Sequence, residues 1–581
     1  MKTPLLAVVA CFCCFATTGL WAGPAVKDCI LVNHTGFVPQ GAKYFVVLNP
    51  PAKEFTVYKG FSGDVACRGQ LTHVNADLGD GWVGDFSTVR DEGIYTIACG
   101  GLRSRLVLVS RDAAEQPLRV LFNYFPTQRC GDSLSGWHAP CHLDDARRVD
   151  TGEHVDLMGG WHQSCDLRKW MFGTPYGLVG LSQLAMLKHP RWDRGQIADE
   201  IRWGNRYFHN MVRPDGGLMD HIVVPVRWEK RDVYPNDPPF CATYLMIVGQ
   251  SLAAQCAAKQ DAAYAQKCLD VAKRVWRHAT DPATPPGPYR PKAVPQYHDW
   301  LIGVFDDYYR GSALERGDAL YAALKLYEAS KDKAFFEEAC GMANDLVRLQ
   351  VGGDVAKDPA AACFHVGPNR KELTHASLFG AMGLAEIALL QPNHPDAARW
   401  REVVARMAQQ KCMMADRNPW GLIPSYWRDD RPGAGRSGGT ARYRYFFRFT
   451  NDRGATLTGG PNPDILGNAL FLLRAHRLLG DKKCFDVACR QVDWVLGCNP
   501  FDASTVEGVG LNQPPRFVNC GEFFPPTPQI PGAVMTGIQG DTNDNPEPFG
   551  NNCSTEYDMP PTAMLMWMLS ELSRVESPVG L

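Results

Sequence analysis

Gly159-Gly160-Trp161-His162-Gln163-Ser164-Cys165-Asp166-Leu167-Arg168-Lys169-Trp170 is the segment of this 581-residue chain densest in chemistry. Two glycines open it, and glycine adopts backbone conformations that other residues resist. Ring side chains, a candidate metal ligand at His162 and a carboxylate at Asp166 follow. Taken alone, the stretch reads equally well as a Gly-rich turn entering an amphipathic helix, with Asp166 as a cap or a solvated acid. Its partners, far away in the chain, decide between these readings.

Downstream of about residue 113, apolar residues recur every three or four positions. Leu118 to Phe125, Gly177 to Leu187, Thr243 to Cys256, Leu314 to Tyr327, Leu378 to Leu390, Ile465 to Leu479, Phe485 to Leu496 and Ala563 to Leu572 all show this helical spacing. Roughly a dozen helices with no clear strands between them predict a helical toroid rather than an α/β fold, and no strict short repeat indicates a solenoid. Upstream, Lys43–Leu48, Glu54–Tyr58, Gly93–Ile97 and Arg105–Val109 are short β-branched and aromatic runs punctuated by Gly, Pro, Asn and Asp. The predicted fold class is therefore multidomain. An N-terminal all-β immunoglobulin-like sandwich spans 26–112, and an all-α domain spans 113–581. Three long connections, 126–176, 410–460 and 498–560, are rich in Gly, Pro, Asn and aromatics and are where function is expected.

A chain of this length exceeds one ordinary core. A net charge of −2 with 21% charged residues argues against a nucleic-acid binder, which would need a basic face. Residues 1–25 read as a secretory signal, with basic Lys2, an apolar run Leu5–Ala16 and small residues at Ala22, Gly23 and Ala25. The expected location is secreted or periplasmic. Val8-Val9-Ala10-Cys11 weakly resembles a lipoprotein cleavage site, so lipid anchoring ranks second. No other long apolar run appears, so no integral membrane segment is expected in the mature chain. Of twenty cysteines, Cys11, Cys13 and Cys14 lie in the leader, leaving an odd seventeen scattered over a large chain. That is not a small disulfide framework.

Cys130, Cys141, His142 and His162 supply two thiolates and two imidazoles, the usual closed tetrahedral donor set for structural zinc. A Cys130–Cys141 disulfide and unconnected core residues are the competing readings. Hydrolysis of a glycosidic bond needs two carboxyl groups in different protonation states. Asp166 is one candidate. Glu556, in Thr555-Glu556-Tyr557-Asp558-Met559-Pro560-Pro561 just before the last apolar helix, is the other. Burial beside Tyr557 and Met559 would raise its pKa as a general acid requires.

At these residues the chain resembles glycoside hydrolase family 9, the inverting cellulases and related β-glycosidases. Val32-Asn33-His34-Thr35-Gly36-Phe37 with Pro39 is similar to the opening of the immunoglobulin-like domain that precedes the catalytic domain in many members. Gln128-Arg129-Cys130-Gly131, Cys141-His142-Leu143-Asp144-Asp145, Gly159-Gly160-Trp161-His162, Gly459-Gly460-Pro461-Asn462-Pro463-Asp464 and Leu496-Gly497-Cys498-Asn499-Pro500 are also family-like. The resemblance implies an (α/α)6 barrel with a cleft across one end, and structural zinc on the Cys/His segments. Members usually carry Asp-Ala-Gly-Asp after Gly-Gly-Trp. Asp166 takes the second position, that of the general base. Gln163 takes the first, whose side chain helps hold the attacking water. Glu556 takes the position of the general acid, with Thr555 where Asn is usual. Arg516, in Asn512-Gln513-Pro514-Pro515-Arg516-Phe517, lies near the place of a substrate-binding His and Arg.

The expected activity is that of an inverting β-glycosidase acting on a carbohydrate substrate. Trp161, Trp170, Trp300 and Trp427 are candidates for stacking on sugars. Arg168, Asp299, Arg310, Arg516 and Tyr557 are candidates for holding the substrate. Because Gln163 replaces a carboxylate, a catalytically impaired glycan-binding protein is the alternative reading. The sequence assigns no calcium site, oligomeric state, sugar or linkage.

Overall fold

Alternation of apolar and polar residues builds the N-terminal strands. In β3 (Glu54–Lys59), Phe55 and Val57 turn inward while Glu54 and Lys59 face solvent. The coordinates are a computed structural model. It describes residues 28–60, 62–131, 140–164, 168–187, 192–223, 232–233, 240–284, 308–358, 360–367, 370–372, 375–428, 443–446, 449–450, 456–457, 460–514, 530–540, 544–547 and 555–575. One antiparallel sheet runs β1 (Leu31–Val32), β2 (Tyr44–Val47), β6 (Gly79–Asp85), β5 (Thr72–Ala76). The other runs β4 (Val65–Gln70), β3, β7 (Gly93–Cys99), β8 (Leu102–Arg103), with β9 (Val107–Val109) also paired to β7. Phe37, Phe45, Phe55 and Phe86 fill the space between them. The Phe45 and Phe55 rings meet edge-to-face at 5.0 Å.

The helices follow: α1 (Glu115–Phe122), α2 (Tyr124–Gln128), α3 (Tyr176–Ala185), α4 (Arg194–Asn210), α5 (Phe240–Ala257), α6 (Ala262–Thr280), α7 (Ala313–Ser330), α8 (Lys333–Leu349), α9 (His375–Leu390), α10 (Ala397–Ala415), α11 (Asn462–Leu479), α12 (Lys482–Val495) and the C-terminal helix Met559–Val575. Six of them close a ring in which α3, α5, α7, α9, α11 and the C-terminal helix each pack on the next, and the last returns to α3. This is the (α/α)6 barrel. Ring helices are buried on all sides over much of their length, as the unbroken buried run Leu245-Met246-Ile247-Val248 of α5 shows. The outer helices α4, α6, α8, α10 and α12 are each preceded by an aspartate: Asp193, Asp261, Asp332, Asp396 and Asp481. All but Asp396 accept a hydrogen bond from the first-turn backbone.

The connections position the site. Turns from ring to outer helix are short, such as 258–261, 331–332 and 480–481. Connections leading into the ring helices are long, spanning 129–175, 211–239, 281–312, 350–374, 416–461 and 496–558. All the long segments therefore lie at the N-terminal ends of the ring helices, which form the mouth. These segments also carry short strands, a correction to the expectation of helices alone. β10 (Arg147–Arg148), β11 (Lys169–Trp170), β12 (His221–Val223) and β13 (Asp232–Val233) form one small sheet. β14 (Phe364–Gly367), β15 (Arg370–Glu372), β16 (Tyr426–Arg428) and β17 (Tyr443–Arg444) form another.

At the opposite end a buried charge network closes the barrel. Arg474 bridges Glu386 (2.6 Å) and Glu571 (2.7 Å), Lys325 meets Glu386 (2.6 Å) and Arg477 meets Glu571 (2.8 Å). The sandwich docks on the barrel through polar contacts. Asp77 accepts from Arg417 (2.8 Å), Tyr443 (2.6 Å) and Tyr445 (3.0 Å), while Asn33 donates to Asp493 of α12 (2.7 Å). Leu78 inserts into the barrel's own core. No helix of the described residues is long and apolar enough to cross a membrane.

Candidate active site and metal centre

Pairing of two short segments brings the metal candidates together. Arg129 and Trp161 form an antiparallel bridge, the Cys130 N–H donates to Gly160 O (2.9 Å) and the His162 N–H donates to Gln128 O (2.8 Å). Gly160 is left-handed (φ 73°), and a Cβ there would lie 2.7 Å from the Tyr207 Cβ, so the turn needs glycine on both counts. Cys130, Cys141, His142 and His162 are all buried, and their ligand atoms lie within 4.8 Å of one another. Cys130 Sγ is 3.2 Å from His142 Nδ1, Cys141 Sγ is 3.4 Å from His162 Nε2, and the two nitrogens are 3.3 Å apart. A tetrahedral zinc with ordinary bond lengths sets two nitrogens about 3.3 Å apart, and nitrogen and sulfur about 3.5 Å apart. The four residues fit that ion. Four protein donors would close the coordination sphere, so its chemistry would be structural.

Lys169 stands beside this cluster, almost wholly buried. Its Nζ donates to Leu157 O (2.7 Å) and Gly159 O (3.2 Å) and pairs with Asp145 (3.0 Å). Burial opposes the charge on the amine. The Cys130 sulfur and the Asp145 carboxylate outweigh it and raise the pKa above the ordinary lysine value.

The mouth joins the first and last long loops. Ser164 and Asp558 form an antiparallel bridge, and the Met559 N–H donates to Gln163 O (2.9 Å). Tyr124 Oη donates to the same carbonyl (2.7 Å) and meets the Tyr557 ring edge-to-face at 6.1 Å. The Gln163 side chain is buried against Gly173, where a Cβ would lie 2.4 Å from its Cδ. Its Oε1 has no hydrogen bond among the described residues. Glu556 is half-buried, and its backbone carbonyl accepts from the Thr536 N–H (2.9 Å). Asp166, Asp299, Trp300 and Arg516 lie outside the described residues, as does the side chain of Trp427.

Several expected substrate contacts are placed differently. Trp161 is fully buried between Phe125 and Phe208, and its Nε1 donates to Glu200 (2.7 Å). It fills the core, and the structure corrects its assignment as a stacking platform. Trp170 is buried with His221 stacked on it at 4.1 Å, and the Arg168 guanidinium lies 5.8 Å from the Trp170 ring centre. Arg310 donates to the carbonyls of Ala279, Thr280, Asp281 (2.9 Å) and Thr284 (2.7 Å), so it caps the C-terminus of α6 rather than reaching for hydroxyls.

Sequence reasoning missed Asp318. It lies on the second turn of α7, at the mouth end, and accepts from Tyr308 Oη (2.5 Å). Burial pushes its carboxyl well above the ordinary range, against the Tyr308 hydrogen bond. The available signal was an acid inside the apolar run Leu314–Tyr327.

A closed double ring of helices, with its long loops gathered at one mouth and a β-sandwich docked alongside, defines the class of (α/α)6 carbohydrate-active enzymes. Residues 115–557 match glycosyl hydrolase family 9, and residues 25–104 match the cellulase N-terminal ig-like domain. The chain belongs to glycosyl hydrolase family 9 and is a glycoside hydrolase. A cellodextrinase of Butyrivibrio fibrisolvens is 24% identical over 529 residues, covering 83% of this chain and 85% of its own. Among solved structures, a Bacteroides ovatus GH9 protein superposes with a TM-score of 0.68 at 17% identity, covering 95% of this chain and all of its own (100%). A zinc-binding triple mutant of a GH family 9 endoglucanase superposes with a TM-score of 0.69 at 19% identity, covering 92% of this chain and 99% of its own. At the level of the family, the relatives are cellulase-type glycosidases.

Proposed function

We propose that this chain is a secreted, inverting β-glycosidase acting on β-linked glucan-type oligo- or polysaccharides. Asp166 is the general base that deprotonates a water, and Glu556 is the general acid that protonates the leaving oxygen. Inversion needs the two carboxyls roughly 6.5–9.5 Å apart, with the water between them. The observation that carries the reading is the Ser164–Asp558 bridge. It ties together the two segments that hold the candidates, two residues before Asp166 and two residues after Glu556. The Gln163 Oε1, buried without a protein partner among the described residues, supports a role in holding the attacking water. In the same reading, residues 1–25 are the signal segment, 26–112 the immunoglobulin-like domain and 113–581 the catalytic domain. Zinc is the structural ion of the Cys130, Cys141, His142 and His162 cluster, and the zinc-binding family 9 endoglucanase mutant is consistent with that assignment.

The test is Glu556→Gln on a panel of β-linked oligosaccharides, with proton NMR of the first product anomer. The expected result is an α-anomer from the wild type, and a loss of kcat of about 10²–10⁴-fold in the variant. Undiminished cleavage by the variant would remove Glu556 from the acid role. A β-anomer would remove inversion.

A further inference from the structure

We infer that Lys169 is a positioning residue that couples the Cys/His cluster to the candidate base, by holding both arms of the ligand loop against the strand that follows Asp166. The inference rests on the zinc and general-base readings above.

An ammonium has three N–H donors. Here they face three oxygens, from Leu157 (2.7 Å), Gly159 (3.2 Å) and Asp145 (3.0 Å). These oxygens belong to the two arms of the ligand loop. Asp145 lies three residues after His142, and Gly159 three residues before His162. The Cys130 sulfur is a further partner of the same ammonium. Lys169 thus touches the neighbourhood of every proposed ligand segment.

The other end of the lysine is equally constrained. Its carbonyl accepts from Tyr207 Oη of α4 (2.8 Å), and its main chain pairs with Ile222 of β12. Nζ lies 4.7 Å from the centre of the Tyr207 ring. Asp166 is three residues upstream of this anchor. One buried cation is therefore shared between the loop that the metal closes and the strand that sets where the base begins. Asp145 and Lys169 are almost wholly buried, so solvent does little to screen either charge and removing one partner takes a close counter-charge from the other.

The experiment measures zinc content, the rate of zinc release to a chelator, and kcat and KM on a β-linked oligosaccharide. It uses the full chain as wild type, Lys169→Met and Lys169→Arg, each before and after zinc removal. Coupling predicts that the Met variant releases zinc about tenfold faster or more, the range typical of outer-sphere changes. It predicts that kcat falls while KM changes less than about twofold, that the Arg variant recovers part of both, and that stripping zinc from the Met variant costs little further kcat. Unchanged zinc release, or losses from mutation and zinc removal that multiply, would overturn the role of Lys169 while leaving the zinc assignment intact. A wild type that holds no zinc would overturn the zinc assignment, and this inference with it. Asp145→Asn, which keeps the side-chain volume, carries the same test if the Met variant does not fold.

Discussion

In the proposed mechanism, Gln163 bears on what the base can do. An amide can orient a water but cannot share negative charge with a nearby base. Restoring a carboxylate by Gln163→Asp places a like charge beside the proposed base, which raises the pH at which it ionises. The acidic limb of the kcat/KM profile is expected to move up by about one pH unit. An unmoved limb would separate residue 163 from the base. At this scale the sequence was legible where chemistry restricts identity. Cys130, Cys141, His142 and His162 stood out because few residue types can ligate a metal, and the structure gathers all four. Trp161 was not readable, because a tryptophan suits a sugar face and a core equally. The choice was made by Phe208 and Glu200, distant in sequence.

Elements follow the same division. The strands Tyr44–Val47 and Glu54–Lys59 lie where the short β-branched and aromatic runs placed them, because such side chains pack well on a pleated, buried surface. The ring helices announced themselves through apolar runs, whereas the outer helices α4, α6, α8 and α10 drew less notice because half of each surface is polar. The aspartate before each was the usable signal, and in α4, α6 and α8 its side chain caps the first turn. The small sheets of the mouth were illegible, since strands of two to four residues are too short to show periodicity. Arg310 gives the prediction proper to this scale. As the cap of α6 it satisfies four carbonyls, so Arg310→Ala is expected to cost about 1–3 kcal/mol in urea denaturation. KM should stay unchanged, and a rise in KM without loss of stability would return Arg310 to the substrate.

Stability of the whole molecule depends on charges buried far from the mouth. Burial opposes ionisation of Glu571, but Arg474, Arg477 and Arg574 outweigh it and hold its pKa down at about 2. A depressed carboxyl stabilises the fold above the unfolded pKa, and that contribution drains away as pH falls from about 4.5 towards 2. Glu571→Gln removes the carboxylate shared by Arg474 and Arg477, leaving Arg474 with Glu386 alone, and is expected to cost about 3–5 kcal/mol at neutral pH, with a flatter acid limb of stability. Asp493 behaves oppositely. Burial raises it to about 7, against the Asn33 hydrogen bond and the Arg490 charge, where α12 meets the sandwich. The unfolded chain therefore releases a proton between about pH 4 and 7 that the folded chain keeps, so this site costs stability as pH rises through that window. The Asp493→Asn variant should gain on the wild type in melting temperature from pH 4 to pH 7. A constant difference would place the burden elsewhere.

The unequal lengths of the two sets of connections have a practical corollary. Tight turns such as 258–261 lie at the base of the barrel, and Ala258, Lys259 and Gln260 are exposed there. A linker grafted at that hairpin would tether the protein to a solid support base-down, with every mouth loop open to the bulk. The same protein fixed through a mouth loop would lose access to long polymers first and to short oligomers last.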